Sequence, residues 1–261
     1  VSVRRAAAFA ALCAAAAVAC GLGAWRHQGR SALWRIVDGQ CVPAAAAAAS
    51  RPAPCAAVAP GDPAGAGYAV LKDRRGALQY LLIPTRRVSG IEDPALLAAG
   101  APDYLADAWR ERRWMDATRG APVPREDVAL ALNSAWSRSQ DQLHVHISCV
   151  RADLRARLRS ADAAIGAAWT PLAGGWRGHP YQVRRLVAES LDGSELVRDL
   201  VRAQAGAMGR QAVAAIGSDY RGQPSFWLLA THVDLGAGWL AGIEGDVQDH
   251  ACAVAGLPEG G

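Results

Sequence analysis

Lysine is almost absent from this 261-residue chain: Lys72 is the only one, against a total of 28 lysines and arginines. So strong a preference for arginine, beside heavy use of alanine, has the look of a genome-wide codon habit, and arginine clusters are therefore weak pointers to anion binding here. Net charge is also scarce. The formal value of +4 drops to +2 once Arg4 and Arg5 are set aside, too little to attract nucleic acid. No C-x-x-C pair occurs among the six cysteines, so zinc-finger and thioredoxin-like spacings are missing. Nothing marks an internal repeat or an oligomeric state. An apolar fraction of 51% is ordinary for a globular protein, and the length suffices for one substantial domain.

Charge is missing altogether from residues 6 to 25 (AAAFAALCAAAAVACGLGAW), about the length that crosses a bilayer. The run is expected to be a membrane anchor, giving residues 1–25 as one segment. Eleven of its twenty residues are alanine, and Ala17-Val18-Ala19 before Cys20 also resembles a signal cleavage site, so a removed leader is the alternative. Arginines flank both ends and leave the orientation open. Beyond it stand Cys41, Cys55, Cys149 and Cys252, an even number behind an export-like amino end, which favours disulfides and a periplasmic face over free thiols or zinc.

Residues 26–66 read as an Ala/Pro-rich linker holding Cys41 and Cys55, and the folded domain is expected over 67–261. GYAVLKD and ALQYLLIPT flank a Gly76 turn as two strands, and residues 101–119 form an amphipathic helix stopped by Gly120 and Pro122. DVALALN and QLHVHISC are two more strands, RADLRARLRSADAAIG a helix, ESLDGSELVRDLVRAQ another, and AVAAIGSDY with SFWLLATHV a hairpin. Helices and strands mix without a βαβ rhythm. The fold class is therefore α+β with an antiparallel sheet and packed helices, preceded by an amino-terminal transmembrane helix.

One strand is unusual. Alternation from Gln142 to Ser148 sends Leu143, Val145 and Ile147 to one face and Gln142, His144, His146 and Ser148 to the other. If the DVALALN strand pairs with it, Ala129 and Ala131 lie beside the imidazoles and leave room for a ligand. Solvated histidines are the plain interpretation. A metal would need a third ligand from His179, His232 or His250, and no spacing selects one. A second His-x-Ser or His-x-Thr for a two-histidine phosphoesterase is lacking. Neutral imidazole does attack phosphorus, given a neighbour that fixes its tautomer, so a nucleophilic strand fits the pattern best.

QLHVHIS resembles the His-φ-His-φ-His-φ-φ signature of the histidine triad superfamily, with Gln142 in the first histidine's place. Residues 67–73 (GYAVLKD), the LNS and HVHISC strands, 174–181 (GGWRGHPY), the cysteines ahead of the domain and the DHAC end at 249–252 resemble the CDP-diacylglycerol pyrophosphatases, one membrane-bound branch. The resemblance implies hydrolysis of CDP-diacylglycerol to CMP and phosphatidate through a covalent histidine intermediate, with no cofactor and no metal. His144 is the implied nucleophile and His146 orients or polarises it. By position Asn133, Ser139 and Gln142 are candidate phosphate or nucleotide contacts, while Lys72, Arg177 and His179 sit in matching segments. The implied partners are the phospholipid-nucleotide substrate and the bilayer, at the inner membrane with one span and a periplasmic domain. Glutamine at 142 excludes a general acid there.

Two other classes remain open: a triad-type hydrolase of a soluble dinucleotide or nucleotide sugar, and a non-catalytic envelope protein that binds a nucleotide or lipid head group. Turnover of CDP-diacylglycerol in micelles, set against binding of CMP alone, separates them. Of the three pairings that four cysteines allow, Cys41 with Cys55 and Cys149 with Cys252 are expected. The anchor reading makes the intact protein sediment with membranes, resist carbonate extraction and retain residues 1 to 25; amino-terminal sequencing that begins at Cys20 or later overturns it.

Overall fold

The structure is a computed structural model and describes residues 29–47, 51–61, 66–98, 100–192, 196–203 and 208–256. Among the described residues no helix is long and apolar enough to cross a membrane, and the expected anchor lies outside them.

The chain is α+β, as its mixture of periods implied. The strands are β1 (Ala57–Ala59), β2 (Tyr68–Lys72), β3 (Tyr80–Pro84), β4 (Val128–Leu132), β5 (Val145–Val150), β6 (Thr170–Pro171), β7 (Gln182–Val187), β8 (Gln211–Tyr220), β9 (Gln223–His232) and β10 (Gln248–Asp249). They form one sheet in the order β1-β2-β3-β5-β4-β8-β9-β7-β6, with β10 paired to the far end of β5. The described pairings are antiparallel. The histidine strand therefore lies inside the sheet, hydrogen-bonded on both sides.

One face of the sheet carries the main core. Leu82, Leu130, Val145, Ile147, Val213 and Leu228 pack under the amphipathic helix, which supplies Leu105, Trp109 and Met115. That helix runs as two pieces, Tyr104–Glu111 and Arg113–Arg119, rather than as the single one expected. Asp103 caps its start by accepting from the Ala106 N–H at 3.1 Å, and Gly120, at φ 77°, ends it in the left-handed region that glycine tolerates.

The opposite face divides in two. Ala129, Ala131, Ala214, Ile216 and Leu229 meet Leu154 and Leu158 of the helix Ala152–Ala161 and Ile243 and Val247 of the short helix Ile243–Val247. Toward the other edge, Ala69, Leu81 and Ile83 meet Leu33, Val37 and Cys41. These last three belong to the stretch expected as a linker. Residues Ala32–Ile36 and Val42–Ala46 are α-helical around a π turn, and β1 adds a strand. An alanine-rich run with proline in its first turn favours helix once Leu33 and Val37 supply an apolar stripe to bury. A short sequence of low complexity showed the alanines and not the stripe. The strand β7 was not anticipated either.

Both expected disulfides are present, Cys41–Cys55 with Cα atoms 5.6 Å apart and Cys149–Cys252 with Cα atoms 5.1 Å apart. The first ties the amino-terminal helix to the approach of β1, and the second ties the carboxy-terminal segment to β5. Closing a loop of 14 residues stabilises by about 3 kcal/mol in the chain-entropy model. A Cys41→Ala/Cys55→Ala double variant is expected to lose stability of that order in a denaturant melt and to keep the sheet's far-UV signature.

Candidate active site

The register of the central strands builds the site. Leu81 of β3 stands opposite His146, and His146 stands opposite Ala131 of β4, which in turn faces Ala214 of β8. The row passes from one half-core to the other through His146. Ala129 opposes Ser148, so the two alanines do flank the histidine face. Leu143, Val145 and Ile147 are buried behind it as alternation required. His144 and His146, however, are only 6% exposed each, a buried pair and not an open shelf.

Burial decides their charge. His144 is lowered from its ordinary value to about 4 by loss of hydration, with His146 adding to the effect; the bond to the Gln142 carbonyl and then Glu244 oppose it, and Arg138 reinforces it. His146 is lowered to about 4 as well, again chiefly by burial, with Asp73 opposing and His250 adding. Both imidazoles are neutral at neutral pH.

The tautomer of His144 is fixed by its neighbour. Its Nδ1 lies 2.7 Å from the carbonyl oxygen of Gln142, which only accepts, so Nδ1 carries the proton and Nε2 the lone pair. Gln142 itself is fully buried and turned to the backbone: its amide nitrogen donates to the carbonyls of Pro84 at 3.1 Å and Arg86 at 2.8 Å, and its oxygen accepts from the Val88 N–H at 3.4 Å. The Gln142 side chain holds the exit of β3 and does not line the cleft. Its main-chain oxygen, not its amide, reaches His144.

A cleft of about 480 Å³ opens beside the pair, lined by His144, His146, Ser139, Gln140, Lys72, Asp73 and Arg74 with an apolar wall from Leu33, Ile36, Pro54, Leu71 and Leu81. That volume suits a ligand of ordinary size. Lys72 donates to the carbonyls of Asp73 at 2.9 Å and Gly76 at 2.7 Å, and burial lowers its affinity for a proton, with Asp73 opposing. Among the described residues no group of three His, Cys, Asp or Glu is placed to hold a metal ion.

The rim is stitched to the amino-terminal helix. Arg30 grips Asp141 with two bonds of 2.7 and 2.6 Å and donates to the Arg138 carbonyl at 3.2 Å, while the Asp141 N–H returns a 2.7 Å bond to the Arg30 carbonyl. Gln140 bonds the Leu33 N–H and the Gly29 carbonyl. The loop leading into His144 thus belongs jointly to two distant parts of the chain.

Other sequence candidates fall elsewhere. Asn133 binds Glu244 reciprocally, its amide nitrogen to Oε2 at 3.2 Å and its oxygen to the Glu244 N–H at 3.0 Å. Arg177 and His179 occupy the tip of a tight hairpin in which Trp176 and His179 exchange both backbone bonds, and His179 stacks on Trp239 with centroids 3.8 Å apart. Arg177 meets Asp246 at 3.3 Å, Tyr181 donates to the same carboxylate at 2.9 Å, and the Trp176 ring donates to the Asp246 carbonyl at 2.9 Å. This hairpin braces the helix Ile243–Val247 rather than lining the cleft. From that helix Glu244 reaches His146 Nδ1 at 3.2 Å, and Gln79 reaches the same nitrogen at 3.2 Å. Neither residue stands in a recognisable motif, so only the fold reveals them.

Loss of the lone pair gives a sign for the pH dependence. Above about 4 the two histidines are neutral and able to act; as pH falls through that value they take up protons and lose the lone pair. The acid limb of kcat/KM is therefore expected near pH 4 rather than at the ordinary histidine value, measured on protein shown by circular dichroism to remain folded.

Comparison with known proteins agrees with the distribution of these features along the chain. The family profile of CDP-diacylglycerol pyrophosphatase matches residues 28–256. A protein of Yersinia pestis named CDP-diacylglycerol pyrophosphatase is 43% identical over 234 residues, covering 88% of this chain and 86% of its own length. The match runs from the rim helix through the histidine strand to the Cys252 disulfide, and the chain belongs to the CDP-diacylglycerol pyrophosphatase family.

Proposed function

We propose that this protein hydrolyses the pyrophosphate of CDP-diacylglycerol to CMP and phosphatidate through a covalent adduct on His144. The observation that carries the reading is the 2.7 Å bond from His144 Nδ1 to the Gln142 carbonyl, which leaves Nε2 as a neutral nucleophile beside the cleft. In the first step the Nε2 pair bonds to one phosphorus, and the bond from that phosphorus to the bridging oxygen breaks. The other half leaves as a phosphate monoester with the bridging oxygen and its electron pair. Such a leaving group is a weak base and departs without a proton, so a glutamine in the first triad place is no obstacle. As the adduct forms, the Gln142 carbonyl stabilises the positive ring through Nδ1–H. Lys72 and Arg74 at the cleft supply positive charge for the phosphoryl oxygens, and Ser139 a hydroxyl. Water then cleaves the adduct.

The apolar wall of Leu33, Ile36, Pro54, Leu71 and Leu81 suits the glycerolipid side of the substrate. We place the protein at the inner membrane, held by residues 6 to 25 with its domain on the periplasmic side. The Arg30–Asp141 pair would then keep the cleft near the bilayer surface, where a diacyl lipid presents its head group. The two disulfides favour that oxidising side. The QLHVHIS strand, with its central nucleophile, supports a histidine triad-like domain.

His144→Ala is expected to lower kcat by on the order of 10⁴-fold or more while CMP affinity and fold persist, because it deletes the attacking nitrogen and leaves the packed face of β5 intact. Quenched turnover should yield an acid-labile adduct on His144 by mass spectrometry. Undiminished hydrolysis by the variant would sink the scheme.

A further inference from the structure

His146 has one nitrogen engaged and one without a partner. Its Nε2 is buried and makes no hydrogen bond, although the ring lines the cleft and lies 4.9 Å from that of His144 between centroids, edge to face. A buried polar atom left unpaired is uncommon and invites a functional explanation.

Counting protons around the other nitrogen assigns the tautomer. The Gln79 amide nitrogen lies 3.2 Å from Asp73 Oδ2 and 3.1 Å from Glu244 Oε1. Two carboxylate oxygens require the NH₂ end of that amide, and its two hydrogens are used on them. Nothing remains for Gln79 to give to His146 Nδ1. That nitrogen then holds its own proton and donates it to Glu244 Oε1 at 3.2 Å, which puts the lone pair on Nε2. Glu244 is held in turn by its two bonds with Asn133. A carboxylate fixed on one imidazole nitrogen orients the ring and stabilises the imidazolium formed when the other nitrogen accepts a proton.

We propose that Glu244 is a positioning residue that makes His146 the general base for the water of the second step. The proposal rests on the covalent His144 reading. In that step the water oxygen bonds to phosphorus and the phosphorus–nitrogen bond breaks, its electron pair returning to His144 Nε2. One water proton passes to His146 Nε2 and afterwards to solvent. The released product carries the water oxygen. Charged and titratable groups facing His146 are His144 on its own segment, Asp73 after β2, and Glu244 and His250 near the carboxy end; His250 stands 3.6 Å from the same Glu244 oxygen.

Glu244→Gln separates this role from a structural one. Its kcat on CDP-diacylglycerol in micelles is expected to fall roughly 10²-fold. The burst of first product and kcat/KM should stay unchanged, because kcat/KM reports the step that forms the adduct. The adduct on His144 should accumulate in quenched samples. A parallel fall in kcat/KM, or no accumulation, overturns the proposal. Should the variant fail to fold, the native protein answers: breakdown of its preformed adduct is expected to be slower in D₂O with an unchanged burst, and equal rates in the two solvents reject a base. Full activity of His144→Ala with no adduct in any protein would instead remove the covalent reading itself.

Discussion

Two buried imidazoles, His146 on an interior strand and His144 just ahead of it, are the constraint around which the rest of this protein is arranged. A strand hydrogen-bonded on both sides holds its side chains in fixed rows, so His146 is pinned between Leu81 and Ala131. Taking two histidines out of water removes their charge and makes them neutral nitrogen bases at physiological pH. One contact to each ring bears on which nitrogen holds the proton: a main-chain carbonyl for His144 and a carboxylate for His146.

The outlying segments that carried the resemblance find a physical purpose in that arrangement. Residues 174 to 181 close a hairpin whose Arg177, Tyr181 and Trp176 all converge on Asp246, and Asp246 lies two residues after Glu244 on the same short helix. The DHAC end works similarly. Asp249 accepts from the Ala251 and Ala253 N–H groups at 3.0 and 2.9 Å, Cys252 bonds Cys149 of β5, and Gln248 spans the carbonyls of Ala129 and His146 at 2.7 and 3.1 Å. Segments far from the chemistry in sequence thus hold the carboxylate and the histidine strand in register, as a site on rigid elements requires.

The amino-terminal segment has a double part. Leu33, Val37 and Cys41 cover the sheet over Ala69, Leu81 and Ile83, while Leu33 and Ile36 also form one wall of the cleft. Packing and ligand surface come from the same turns of helix. The Arg30–Asp141 pair and the Gln140 bonds join that wall to the loop ahead of His144.

Alternation alone placed His144 and His146 opposite Leu143, Val145 and Ile147, because a strand's period of two depends on nothing beyond the strand. The mixed helix and strand order, the Gly120 stop, the 211–232 hairpin and the small alanines beside the histidines were legible for the same local reason. The rest hinged on distance. Gln142 shared the histidines' parity, yet the chain bends before β5 begins and the side chain turns to the carbonyls of Pro84 and Arg86, an outcome set by where β3 ends. The 26–66 stretch looked like a linker because its few apolar residues become a stripe only against Ala69, Leu81 and Ile83. Glu244 and Gln79 carry no signal in their own neighbourhoods; folding alone brings them, 165 positions apart in the chain, onto one nitrogen of His146. Sequence by itself determined the residue types and the faces they share, since these follow from backbone geometry. Tertiary structure decided the charge, the tautomers and the partners, since these follow from burial and from contacts between segments that the chain order keeps far apart.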